Sequence, residues 1–248
     1  LIAAFVYGMT IEPTASFWDC PEFISCAEKL QVGHPPGAPF YMLVGNLFTQ
    51  FASDPSQVSR TVNFLNALLS AGCILFLFWS ITRLVRSLLK EEKENLSVTD
   101  VIIILGSGLV GALAYTFSDT FWFSAVEGEV YAFSSFLTAL VFWMILRWQD
   151  ESDSVYGDRW IILIAFIIGL SIGVHLLNLL CIPAIVLVFY YQKYHAISFK
   201  GVAAAIVISG LLIVFILFVY IPGIADMGGW FELLFVNVFG LPFHTGLI

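Results

Sequence analysis

The chain has 248 residues, 60% of them hydrophobic and 11% charged, with a mean hydropathy of +0.94 and a formal net charge of −8. A soluble domain carries about 25% charged residues, so this composition excludes one and predicts an all-α polytopic membrane protein. The sequence holds no Walker loop, no Gly-rich dinucleotide fingerprint, no His-Glu-x-x-His and no Gly-x-Ser-x-Gly elbow, which argues against a soluble nucleotide-using active site.

Residues 1–11 are apolar but too short to cross a bilayer, which takes about 20 residues, so they read as the outer half of a truncated first helix. No signal peptide is visible at Leu1, and the end at Thr245–Ile248 reads as cut. Residues 12–40 then break the apolar pattern with Glu12, Asp19, Glu22, Glu28, His34 and five prolines: Pro13, Pro21, Pro35, Pro36 and Pro39. Proline fixes φ and removes a donor, so this acidic loop has a specified entry and exit. Within it, 22–30 and 38–52 carry apolar residues at helical spacing and predict two interfacial helices hinged at His34-Pro35-Pro36-Gly37. Apolar runs predict membrane helices near 62–89, 99–118, 130–148, 160–176, 178–192 and 202–222, giving about seven segments with 1–11. The run 160–192 is read as two short helices meeting at Val174–Asn178, where His175 and Asn178 interrupt it. The whole chain is expected to form one module: helix 1–11, outer loop 12–60, membrane helices 62–222 and an outer segment 223–248. The four cysteines suggest no disulfide framework, because Cys73 and Cys181 lie in apolar runs and Cys20 and Cys26 are spaced poorly for a bridge on a helix.

Charge orients these segments. Arg83, Arg86, Lys90, Lys93, Arg147, Arg159, Lys193 and Lys200 fall on one side, and positive residues favour the cytoplasm. Only Lys29 and Arg60 lie on the other side, with Glu12, Asp19, Glu22, Glu28, Asp54, Asp119, Glu127, Glu129, Asp226 and Glu232. The net negative charge therefore sits on the outer face.

Several side chains in this pattern can carry chemistry, each against a plainer role. Asp19 and Glu22, three apart around Pro21, fit either a capping box or an aimed general base. His34 is a turn residue or a donor to a phosphate or sugar hydroxyl. The aromatics of Asp119–Phe123 suit an interfacial belt, but Glu127 and Glu129 at a helix start are costly unless they face a cavity. His175 and Asn178 form a helix–helix hydrogen bond or contact a ligand. His195, beside Lys193, reads as solvated surface.

Ser16-Phe17-Trp18-Asp19-Cys20-Pro21-Glu22-Phe23 and Val32-Gly33-His34-Pro35-Pro36-Gly37-Ala38-Pro39 resemble the signature of a bacterial membrane family long called a domain of unknown function. That family is related to the vertebrate-type protein O-mannosyltransferases of the GT-C superfamily. The stretches Phe121–Tyr131 and Gly169–Asn178 resemble later blocks of it, while Pro21 stands where relatives often carry glycine. The resemblance implies a GT-C-like module and an inverting transfer of a mannose-like sugar from a polyprenyl-phosphate donor to a hydroxyl acceptor, protein Ser/Thr. It implies a site on the extracytoplasmic face, here the periplasmic side of a bacterial inner membrane. By match of position Asp19 is the base and Glu22 the second carboxylate. Lys29, Arg60, His34 or His175 would hold the phosphate, and Glu127, Glu129 and Asn178 would line the substrate cavity. The resemblance implies no nucleic-acid partner and no certain cofactor, and it leaves a divalent metal open. The alternatives are a transporter or lipid flippase, whose coupling carboxylates lie near the midplane rather than at one surface, and a non-catalytic lipid- or sugar-binding subunit.

Overall fold

The structure is a computed structural model that describes residues 1–89, 96–194 and 196–247, so Lys90, Lys93 and His195 lie outside the described residues. All regular elements among the described residues are helical. They divide into two compact units, Leu1–Cys181 and Ile182–Ile248.

The first unit opens with α1 (Ile2–Met9), followed by the loop helices α2 (Cys20–Lys29) and α3 (Pro39–Thr49). The long α4 (Val58–Leu89) and α5 (Val98–Thr116) come next, then a short α6 (Asp119–Val126), α7 (Val130–Glu151) and α8 (Asp158–Ile172). α9 (Cys181–Lys193) follows a 3-10 turn at Leu176–Leu180. Five helical runs are long and apolar enough to cross a membrane: Pro55–Leu89, Val98–Thr116, Val130–Glu151, Leu176–Lys193 and Phe199–Val238. The other two of the seven expected segments appear as α1 and α8, with 8 and 15 residues. At a rise of about 1.5 Å per residue, 15 residues reach roughly 22 Å, short of a hydrocarbon core of about 30 Å.

The loop helices form as their spacing predicts, and they are docked rather than free. Phe23, Ile24, Ala27, Tyr41 and Met42 bury their side chains against Val62 of α4 and Val130, Phe133 and Leu137 of α7. α2 and α3 touch where Gly45 leaves no room: a Cβ there would lie 2.9 Å from that of Ala27. The break expected at 174–178 is present, and it has a structural use. Gly173 ends α8, and its carbonyl accepts from the backbone N–H groups of Phe40 (2.7 Å) and Tyr41 (3.3 Å). Two of the orphan donors of α3 are thereby satisfied by the interruption in another helix. At the other end of the bundle the Arg83 guanidinium on α4 binds Asp150 on α7, with Nε to Oδ2 at 2.8 Å. Arg147 reaches Glu151 at 2.9 Å, and Trp160 of α8 donates to the same carboxylate at 2.9 Å.

In the second unit, the helix expected to end near 222 runs on to Val238. α10 (Phe199–Phe215) continues through a π-helical turn (Ile216–Tyr220) into α11 (Ile221–Leu233) and a second π-helical turn (Leu234–Val238). Pro222 sits in the first turn of α11, directly after the widened π-helical turn. A break in the regular hydrogen-bond ladder at that point lets the chain run on past a residue that cannot donate.

Candidate active site

Two acidic turns meet at the end of the first unit that carries α2 and α3. The first is built by α2. Asp19 occupies the N-cap position and Pro21 lies in the first turn, but the expected capping box does not form: the Asp19 side chain makes no cap bond. Asp19 has φ −84° and ψ −10°, already helical, whereas a capping side chain needs the extended backbone of a usual N-cap. A capping box is found instead at Ser97 and Asp100, at the start of α5. Glu22 turns away from the helix start toward the hinge. Its Oε1 accepts from the backbone N–H of His34 at 2.6 Å, and its Oε2 lies 3.0 Å from His34 Nδ1. These bonds lower the Glu22 pKa, the backbone N–H of His34 contributing most, and the bond to Glu22 raises that of His34. An ionised Glu22 makes Nδ1 the donor and leaves Nε2 directed at Asp19, 3.9 Å from its Oδ2. Carboxylate, imidazole and carboxylate thus lie in a row, each half-exposed.

The second turn is Glu127-Gly128-Glu129, between α6 and α7. Two buried asparagines of α4, three residues apart, fix it. Asn66 Nδ2 donates to the carbonyls of Glu127 (2.5 Å) and Glu129 (2.6 Å). Asn63 Nδ2 donates to those of Glu12 (2.8 Å) and Thr14 (2.9 Å), which ties the first loop to the same helix face. Gly128 is clamped between them, since a Cβ there would stand 2.9 Å from Ile24 Cγ1 and 3.1 Å from Asn63 Oδ1. Both carboxyl groups are buried, Glu127 at 4% exposure and Glu129 at 6%. Oε2 of Glu127 has no hydrogen-bond partner among the described residues. Burial raises the Glu127 pKa, offset in part by the Ser16 hydroxyl. Burial, and then the neighbouring Glu127, push Glu129 up to about 7.

The two turns share one cavity of about 70 Å³. Asp19 and His34 line it from the first loop, Glu129 and Tyr131 from the start of α7, and His175 from the helix break. His175 Nδ1 accepts from the Leu177 N–H at 3.1 Å, which places the ring proton on Nε2. Burial lowers its pKa, so it stands as a neutral donor beside Tyr131, ring centres 5.4 Å apart. Three stretches far apart in sequence therefore supply two carboxyl groups, two imidazoles and a phenol to one space. Asp19, Glu22 and His34 also offer one ligand atom each within 4.8 Å of one another, the spacing of a partial cation site. Both Glu22 oxygens are already engaged by His34, however, so an ion there would compete with those bonds.

Four residues expected at the site are placed elsewhere. Lys29 pairs with Glu28 at 3.0 Å at the far end of α2, and Arg60 lines a separate groove. Asn178 is buried, its Oδ1 accepting from Ser134 (3.2 Å) and Thr138, so it makes the helix–helix bond rather than a cavity wall. Glu127 supports the turn from below without lining the cavity. Sequence reasoning passed over Asn63 and Asn66 and assigned Tyr131 no role of its own. The signal for the asparagines was a pair of amides at i and i+3 on an otherwise apolar helix.

The chain is 24% identical over 140 residues to "Protein O-mannosyl-transferase tmem260" of Dictyostelium discoideum, covering 56% of this chain and 15% of that protein. It is 26% identical over 170 residues to "Protein O-mannosyl-transferase TMEM260" of Mus musculus, covering 68% of this chain and 22% of that protein. The chain thus spans about a fifth or less of the length of either relative. No solved structure matches. Residues 19–198, which contain both acidic turns and the helix break, match the family described as Protein O-mannosyl-transferase TMEM260 N-terminal domain, and the chain belongs to that family.

Proposed function

We propose that this chain forms the membrane module of a GT-C-type glycosyltransferase. It moves a mannose-like sugar from a polyprenyl-phosphate donor to a Ser or Thr hydroxyl of a protein on the extracytoplasmic face. The observation that carries this reading is the row Glu22–His34–Asp19 opening on a cavity: a carboxylate uncommitted to the helix cap stands beside an imidazole held by a second carboxylate. A sugar phosphate already has a good leaving group, so catalysis must remove the hydroxyl proton and stabilise the departing phosphate. Asp19 takes the acceptor proton while the hydroxyl oxygen attacks the anomeric carbon with inversion. The bond from that carbon to the phosphate oxygen breaks, and the charge leaving with the lipid phosphate is met by the His34 imidazolium. Glu22 acts as a positioning residue, since it fixes the His34 tautomer and keeps the ring charged. His175 Nε2–H and Tyr131 are placed to hold sugar hydroxyls. The grouping of basic residues on the opposite side supports an outward-facing site.

The test uses the intact protein in liposomes with labelled mannosyl polyprenyl phosphate and a Ser/Thr-rich protein acceptor. Label appearing on the acceptor supports the reading. Label crossing the bilayer without a new bond makes the protein a transporter or flippase, and retention without either makes it a binding subunit.

A further inference from the structure

We infer that a second, open groove of the first unit holds an anionic phospholipid of the bilayer, separately from the reacting donor. The groove has a volume of about 360 Å³ and shares no lining residue with the catalytic cavity. Its lining combines two chemistries. Gly8 of α1, Ile11, Phe51 and Phe64 are apolar, and the two phenyl rings are well exposed. Ser53, Gln57, Arg60 and Thr61, at and just before the start of α4, are polar and include one guanidinium. Apolar length beside a single cation, at the point where a membrane helix begins, is the chemistry of an acyl chain with a phosphate headgroup.

Charge selects the occupant. Only Lys29 and Arg60 are basic on this acidic side of the sequence, and Lys29 is neutralised by Glu28 at 3.0 Å. The carboxylate nearest in sequence to Arg60 is Asp54, which is engaged by the Ser56 N–H at 2.8 Å and the Ser56 hydroxyl at 2.5 Å. No carboxylate pairs with Arg60 among the described residues. A guanidinium at a lipid-level groove without an internal counter-ion is completed by a phosphate, to which it can present two parallel N–H groups. The groove lining includes none of the groups assigned to the transfer reaction.

The experiment is native mass spectrometry of the intact protein released from nanodiscs of mixed phosphatidylglycerol and phosphatidylcholine. The expected result is one preferentially retained phosphatidylglycerol. Arg60→Gln should weaken its retention roughly tenfold, the scale of one charge-assisted phosphate contact, while Arg60→Lys keeps most of it. Gly8→Phe provides an independent arm: Gly8 lines the groove and a Cβ there meets nothing within 4 Å, so a ring at this position should evict the lipid with Arg60 intact. Lys29→Gln should change nothing. The proposal is overturned if both lipids are retained equally, or if Arg60→Gln or Gly8→Phe leaves retention unchanged. It is also overturned if added polyprenyl phosphate displaces the phospholipid one for one, because the groove would then belong to the donor. None of these readouts requires sugar transfer, so they stand apart from the catalytic assignment.

Discussion

The first acidic turn and the Glu127–Glu129 turn are made of the same residue types and face the same cavity, yet their carboxyl groups are driven in opposite directions. Glu22 accepts two hydrogen bonds from His34 in a half-exposed loop, and its pKa falls. Glu129 is buried beside Glu127, and its pKa climbs to about 7. The difference teaches that at a membrane surface the donors around a carboxylate, and not its depth alone, decide whether it is a charge or a stored proton. Asp19, on the first turn, and Glu129, on the second, both line the cavity between them.

The largest effect should come from the carboxylate that the first turn gives to the cavity. Asp19→Asn keeps shape, and no cap bond is at stake, so the protein should fold normally. It should lose ~10²–10⁴ in transfer rate, with donor binding retained, in liposome assays. Normal turnover in that variant would move the base elsewhere. Asn66→Ala attacks the second turn, because the carbonyls of Glu127 and Glu129 lose their donor, and it also takes the acceptor of the buried Tyr41 hydroxyl on α3. Each unsatisfied buried acceptor costs about 1–3 kcal/mol, so thermal unfolding of the intact protein should shift down by several degrees. An unchanged transition would show that other groups hold the turn.

Glu22→Gln sharpens the contrast from the first side. His34 loses the partner that raises its pKa, so the proton on the ring is released at lower pH. The alkaline limb of the rate profile should therefore move to lower pH, with about a tenfold loss at neutrality. An unmoved limb would mean that Glu22 does not act through His34. Glu129→Gln probes the other wall and should have the smallest effect at neutral pH. A folded pKa of about 7 lies above the ordinary glutamate value of 4.5, so the native state binds this proton more tightly than the unfolded chain does. Stability then falls as pH rises from about 4.5 to 7 and levels above. The Gln variant should flatten that slope in thermal scans from pH 4.5 to 8, and persistence of the slope would assign it to another group.

Much of this arrangement was legible in the chain, for identifiable reasons. Prolines at 35, 36 and 39 and the apolar spacing of 22–30 and 38–52 are local signals, and α2, the hinge and α3 follow them. The interruption at 174–178 was equally local. Which helix the interrupted carbonyl would serve was not, since Phe40 and Gly173 are 133 residues apart. Lys29 and Arg60 were grouped with the acids because they share a face in the charge pattern. Charge pattern gives side but not direction, and one side chain turned to Glu28 while the other opened into a different groove. Asn178 was ambiguous in sequence because a ligand contact and an interhelical bond require the same residue at the same depth. The bound near 222 followed the apolar run, whereas the helix continues past Pro222 through a π-helical turn just before it.

The ion-pair cluster of Arg83, Asp150, Arg147 and Glu151 has a mechanical consequence for chemistry at the opposite end of the bundle. It ties α4 to α7 near one end, while the other end of α4 is held by the bonds of Asn63 and Asn66 to the loops around the site. From Arg83 to Val58 the helix runs about 37 Å at 1.5 Å per residue, so a tilt of about one degree would move the far end by roughly 0.6 Å. Displacements near 1 Å between reacting groups cost on the order of 10² in rate. On the proposed function, Arg83→Gln should therefore appear as a few-fold slower enzyme rather than as an unfolded one.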